Sequence, residues 1–242
     1  MKAFQVDVMN NKKFYIILLT CFTLNINAQK NKLPQNLPRY DFKKMHFGFT
    51  IGINSLDFKI KYDPDYAFQD SLYVLESNNQ KGFNLGIVSN FRLGRYTDFR
   101  FIPALVFGER HLLYSFNNGE DNRIDKKIIE STLIDFPIHI KYKSERYNNF
   151  RSYVILGLKY SLDIASQKNI IEDDEVILKL KPHDLMSEIG FGMDFYLEFF
   201  KFSPQIKVNT GLLNLLVEDS TIFTKSIKRL YTNSWMLSFT FE

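Results

Sequence analysis

Four histidines are the side chains best suited to acid–base or metal chemistry, and their placement supports neither. His46 and His139 lie beside or on alternating segments, while His111 and His183 fall near segment ends. No two stand four apart, the spacing that turns a helical pair toward zinc, and the sole cysteine, Cys21, sits in an N-terminal apolar run. Structural histidines, with no metal and no cofactor, are expected. Neither a G-x-S-x-G nucleophile elbow nor a G-x-x-x-x-G-K-[ST] phosphate loop occurs. Gly190-Phe191-Gly192 shares two glycines with a dinucleotide fingerprint but lies within an alternating segment, where space or a bend explains it better. The acidic run Glu172, Asp173, Asp174 and Glu175 lacks the ligand spacing of an EF-hand loop and is expected to be a solvated loop.

The charges that remain to be explained are spread through the apolar segments themselves. Asp135, Lys141, Lys159, Glu188, Asp194 and Lys207 each fall on the polar side of an alternating run, among Gly190, Gly192 and Asn209. Opposite charges mixed with small residues suit the narrow interior of an eight-stranded barrel, filled by side chains, so these six are expected to form a lumenal ion-pair plug.

The elements that must carry them repeat with period two, the period of a strand. Phe47, Phe49, Ile51 and Ile53 alternate with Gly48, Thr50, Gly52 and Asn54; after Ser55 the apolar phase moves to Leu56, Phe58, Ile60 and Tyr62, which predicts a β-bulge. Further runs include Phe83 to Leu93, a less regular stretch from Asp98 to Phe116, Ile128 to Tyr142, Val154 to Ile164, Leu185 to Phe199, Ile206 to Leu212 and Trp235 to Phe241. In the Leu185 run, Asp184, Glu188, Asp194 and Glu198 share one face. The connections alternate between long (63–80, 117–126, 166–182, 217–228) and short (94–98, 143–149, 200–203). About eight strands with long loops at one end and short turns at the other predict an all-β fold, a transmembrane antiparallel up-and-down β-barrel in the outer membrane. Its even strand number places both termini on the short-turn, periplasmic side. A soluble β-sandwich is the competing fold, disfavoured by the paired loop-length and phase signals and by polar stripes that mix opposite charges with glycine and asparagine.

Composition agrees with this class. With 31 Lys+Arg, 27 Asp+Glu and 24% charged residues in 242, the chain is too charged for a helical membrane protein and too evenly charged for a nucleic-acid partner. Lys12 and Lys13 precede the apolar run Phe14 to Leu24, with Ala28 suited to signal-peptidase cleavage. Residues 1–28 are therefore expected to be a cleaved signal peptide, with Met9 a candidate start; 29–43 a proline-bearing periplasmic lead-in; and 44–242 the barrel. The residue context of Cys21 disfavours lipidation.

Three long blocks carry a resemblance to a known family: LPRYDFKKMHFGFTIGINSLDFKI (37–60), DFPIHIKYKSERYNNFRSYVILGLKYSLDIASQK (135–168) and KPHDLMSEIGFGMDFYLEFFKFSPQIK (181–207). Together with GLLNLLVEDSTIFTKSIKRLYTNSWMLSFTFE (211–242), they resemble the PorT family, also called SprT. That resemblance implies an outer-membrane barrel required by the type IX protein secretion system, and by gliding motility where present. It further implies a non-enzymatic role, with outer-membrane lipid and other secretion subunits as partners and no small-molecule substrate. Tyr40, Asp41, His46, Phe47 and Gly48 are the candidate family-motif junction, either a partner contact or the structural mouth of the barrel. Barrel assembly signals often end on an aromatic, whereas here Phe241 precedes Glu242. A barrel enzyme acting on envelope lipid and a small-solute porin are the alternatives.

Overall fold

A computed structural model describes residues 34–63, 72–117, 122–165, 179–217, 224 and 226–242. The expected signal peptide, the first residues of the lead-in and the acidic run at 172–175 lie outside them. Among the described residues a 3-10 turn, Tyr40–Phe42, leads into nine strands: β1 (Met45–Tyr62), β2 (Leu72–Arg92), β3 (Thr97–Phe101), β4 (Ala104–Asn117), β5 (Asn122–Lys143), β6 (Phe150–Asp163), β7 (His183–Tyr196), β8 (Lys201–Gly211) and β9 (Ile227–Phe241). Every pairing is antiparallel, and β1 pairs both with β2 and with β9, so the sheet closes on itself and leaves no seam unpaired.

Nine strands make eight staves. β3 and β4 each pair with β2 on one side and β5 on the other, and are two pieces of one stave broken at Ile102-Pro103. Pro103 has no amide hydrogen to give the ladder. Pro137 of β5 faces the same break, its carbonyl accepting from the Ile102 amide at 3.4 Å, so its own missing donor falls where the neighbouring stave is already interrupted.

Alternation decides which side of each stave is buried. On β7, Asp184, Met186, Glu188, Gly192, Asp194 and Tyr196 face inward, while Ile189, Phe191, Met193 and Phe195 face out. Outward apolar residues stay open around the barrel: Ile87 is 63%, Leu156 64% and Ile189 61% exposed. At the short-turn end this band becomes aromatic, with Phe49 stacked on Phe241 at 5.0 Å and Phe202 against Phe241 at 5.4 Å. Such a belt is satisfied by hydrocarbon and not by water.

Beyond the band the polarity inverts. Leu56, Val106, Leu133 and Met236 fill the lumen first, followed by Phe58, Leu75, Leu112, Tyr114, Ile227 and Leu230. Leu180, Leu215 and Leu216 fold in from the connecting segments to complete that core. They are held there because the Lys181 amide donates to the Leu215 carbonyl at 2.8 Å and the Leu215 amide to the Leu230 carbonyl at 2.9 Å. The long-loop half is thus built like a water-soluble barrel.

Three expectations change. The β-bulge after Ser55 is absent, because β1 keeps one register with β2 from Met45↔Phe91 to Leu56↔Gln80 and with β9 through Ser55. The apolar phase shifts there because the buried face ceases to be the polar one. Residues 72–80 and 122–126, expected in loops, are strand, and β4 and β5 stay paired out to Asn117↔Asn122. β7 ends at Tyr196, and Leu197 closes a tight turn by donating its amide to the Phe200 carbonyl at 3.0 Å. Glu198 therefore sits in that turn and not on the lumenal face with Asp184, Glu188 and Asp194.

Candidate functional site

The six charges singled out in the sequence are all buried and joined in three ion pairs. Lys141 Nζ donates to both carboxylate oxygens of Asp194, at 2.9 and 2.8 Å. Lys159 meets Asp135 at 3.0 Å, and Lys207 meets Glu188 at 2.9 Å. The register explains the partnering, since β5, β6, β7 and β8 are consecutive staves whose inward residues stand side by side. Hydroxyls add to two of the carboxylates: the Ser161 hydroxyl donates to Asp135 at 2.5 Å and the Ser203 hydroxyl to Asp194 at 2.7 Å. Gly192 leaves room for the Tyr153 ring, which a side chain there would strike. Lys141 Nζ lies 3.6 Å from the centroid of that ring.

Sequence reasoning missed several members of the network. Arg100, fully buried, bonds Glu242 at 2.8 Å, and the Glu242 carboxylate is also held by Lys201 and by the Tyr40 hydroxyl at 2.6 Å. Lys143 pairs with Asp98 at 2.6 Å. Arg110 bridges the Ser131 hydroxyl at 2.6 Å and Asp163 at 3.4 Å, with its guanidinium 4.4 Å from the Phe58 ring centroid, at the border between the charged and apolar fillings. The phase of Asp98, Arg100 and Ile102 against Phe99 and Phe101 carried the signal for the first of these. Glu242 continues the polar face of Ser234, Ser238 and Thr240, so its side was legible while its partners were not.

The five junction residues divide between two roles. Tyr40 stacks on His46 with centroids 3.9 Å apart, and its carbonyl lies 2.8 Å from His46 Nε2. Asp41 receives both terminal nitrogens of Arg151, at 3.0 and 3.2 Å, and the Tyr196 hydroxyl at 3.2 Å; Arg146 adds a contact at 3.5 Å. Burial pushes the Asp41 carboxyl up, but Arg151 and then Arg146 outweigh it and hold the group below its ordinary value. Burial, reinforced by Glu242, holds the Tyr40 phenol protonated, as its donated hydrogen bond requires. Gly48 lies against the backbone of Phe241 and Glu242. Phe47 alone points outward, 63% exposed in the apolar band.

The lead-in is therefore structured from Asn36, whose amide donates to Asn149 at 2.9 Å and whose side chain donates to the Tyr196 carbonyl at 3.0 Å. It crosses the short-turn mouth and ties the start of β1 to the final residue of the chain. At the opposite end Leu180, Leu215 and Leu216 pack into the lumen, so among the described residues it holds paired charges and then apolar side chains.

Among the described residues no group of three or more His, Cys, Asp or Glu is arranged to hold a metal. His111 faces Glu109 at 3.1 Å, His183 the Tyr160 hydroxyl at 2.7 Å, and His139 Glu188 at 2.5 Å.

Residues 27–217 match a protein-family model described as outer membrane protein beta-barrel domain. No curated protein matches the chain. Among solved structures, OprG of Pseudomonas aeruginosa is 14% identical, with 82% of this chain and 94% of that chain covered at a TM-score of 0.45. Neisserial surface protein A is 9% identical, with 82% and 98% covered and a TM-score of 0.39. Ail of Yersinia pestis is 12% identical, with 82% and 98% covered and a TM-score of 0.35.

Proposed function

Because this chain belongs to the outer membrane protein β-barrel domain family, we propose that it is a sealed, non-enzymatic outer-membrane component of the type IX secretion system, supporting assembly or operation of the machine without being its pore. In this reading residues 1–28 are removed on export, the short turns and lead-in face the periplasm, and the long loops face outward. The secretion assignment draws on the resemblance of residues 37–60, 135–168, 181–207 and 211–242 to the PorT family. The observation that carries the non-pore part is the filled lumen: Lys141–Asp194, Lys159–Asp135 and Lys207–Glu188 are buried, closely bonded pairs in its centre. Opening a solute path through them would separate charges already desolvated, at a cost of several kcal/mol per pair, about what breaking a buried ion pair requires.

Deleting the gene and quantifying secreted, surface and periplasmic proteins tests the proposal. Periplasmic accumulation of many exported proteins is the expected result. Normal export with altered envelope lipid would favour an enzyme, and normal export with impaired uptake of small solutes would favour a porin; either contradicts the secretion role.

A further inference from the structure

On the outward face of β1 the series Phe47, Phe49, Ile51, Ile53 gives way to Ser55, Asp57, Lys59, Lys61. The neighbouring staves change with it. Ser55 stands opposite Trp235 of β9 and Lys81 of β2, Lys59 opposite Tyr231, and Lys61 opposite Arg229. Lys59, Lys61, Lys81 and Arg229 are all exposed. They form a basic patch across three adjacent staves, immediately beyond the lipid-facing band.

Two features set this patch apart from an ordinary solvated face. Lys61 and Arg229 are a directly opposed like-charge pair, an arrangement that destabilises an antiparallel ladder unless an anion lies between the two. Both also converge on one ring: Arg229 Nη1 donates to the Tyr231 hydroxyl at 3.4 Å, and Lys61 Nζ lies 5.6 Å from the ring centroid. Asp57, the carboxylate on this face of β1, is occupied by the Ser77 hydroxyl at 2.5 Å and the Phe58 amide at 2.8 Å.

Height above the membrane agrees with charge. At a rise of about 3.3 Å per residue and a tilt of about 40°, Lys59 stands about 10 Å beyond the Ser55–Trp235 level, and Lys81 stands at that level. Lys81 thus stands at the start of the headgroup layer, about 5–7 Å deep, while Lys59 and, about 15 Å beyond that level, Lys61 and Arg229 reach back toward its phosphates along their long side chains.

We propose that Lys59, Lys61, Lys81 and Arg229 bind the phosphates of a phosphorylated glycolipid headgroup in the leaflet beside the long loops. Arg229 offers a fork suited to two phosphate oxygens, and the lysines supply point charges around it. Placement in the outer leaflet rests on the orientation given under Proposed function.

The refolded chain in detergent micelles, titrated with diphosphorylated lipid A, provides the test. Trp235 is the only tryptophan and stands at the edge of the patch, so its emission reports occupancy, with native mass spectrometry counting bound lipid. Saturable binding is expected for diphosphorylated lipid A and not for the phosphate-free form. The triple variant Lys59→Gln, Lys61→Gln, Arg229→Gln, whose folding is verified by heat-modified gel mobility, should bind at least about tenfold more weakly. Equal binding by the variant, equal binding of phosphate-free lipid A, or displacement by inorganic phosphate at equimolar concentration would overturn the proposal. Orientation is tested separately by labelling Lys61→Cys on intact cells with an impermeant maleimide. Labelling supports the outer-leaflet assignment; its absence overturns that assignment while leaving headgroup binding to the micelle result.

Discussion

Along β1, Phe49 and Ile53 point outward with Thr50 and Asn54 inside, whereas only a few residues later Lys59 points outward and Phe58 inside. The backbone does the same thing in both places: one continuous register joins β1 to its neighbours across the change. What differs is the solvent outside. In the short-turn half hydrocarbon surrounds the sheet, so polar groups retreat into the lumen and must satisfy one another there. In the long-loop half water surrounds it, and the lumen becomes an apolar core of Phe58, Leu112, Tyr114 and Leu230. Closed hydrogen bonding belongs to the barrel, while the filling is dictated by what lies outside it.

The sharpest way to break this comparison is to remove one carboxylate from the charged half. Glu188→Ala leaves Lys207 buried without its partner and His139 without its contact, and should destabilise the barrel by about 3–5 kcal/mol in urea unfolding followed by gel mobility. Lys207→Ala should act in the same direction; unchanged mobility and stability in both variants would mean that the plug contributes nothing. In the apolar half, Leu230→Ala removes a fully buried side chain and should cost about 2–5 kcal/mol through lost burial and a cavity. The outer faces offer a third contrast. Ile53→Lys, in the lipid-facing band, should cost up to about 2–4 kcal/mol in lipid bilayers, depending on depth, whereas Lys59→Leu, beyond the band, should leave stability nearly unchanged.

The smallest effect belongs to the short-turn mouth. Asp41→Asn should cost about 1–3 kcal/mol, the range for a hydrogen-bonded charged group. Asp41 has a native pKa below its unfolded value of about 4, so its contribution is fully present above that value and is lost as pH falls through the native one. Unfolding curves of the wild type and the variant should therefore stay apart at neutral pH and converge in acid. A difference that persisted unchanged in acid would mean that Asp41 acts through shape and not through charge.

Much of this was legible in the sequence wherever one rule held along a whole stave. Residues 185–196 and 133–143 alternate cleanly, and Asp135, Lys141, Lys159, Glu188, Asp194 and Lys207 could be assigned to one face before their partners were visible. The shift after Ser55 is equally visible but suggests a bulge, because alternation says which residues are apolar and not which face is inside. Residues 72–80 and 122–126 look like loops in the sequence because adjacent polar residues such as Asn78 and Asn79, or Lys126 and Lys127, interrupt the period, although the ladder with the neighbouring stave continues through them. The partners of Tyr40 and Asp41 were illegible for another reason. Tyr40 and Glu242 are 202 positions apart, and Asp41 and Arg151 110 apart, so barrel closure alone brings them together.

The central claim is that both fillings together seal the barrel, and single-channel recording of the refolded chain in a planar bilayer tests it most directly. The charge-paired lumen, capped by the lead-in at one end and by Leu180, Leu215 and Leu216 at the other, predicts a current indistinguishable from that of the bare bilayer across the voltage range. A steady, wide conductance that scales with the amount of inserted protein would contradict it.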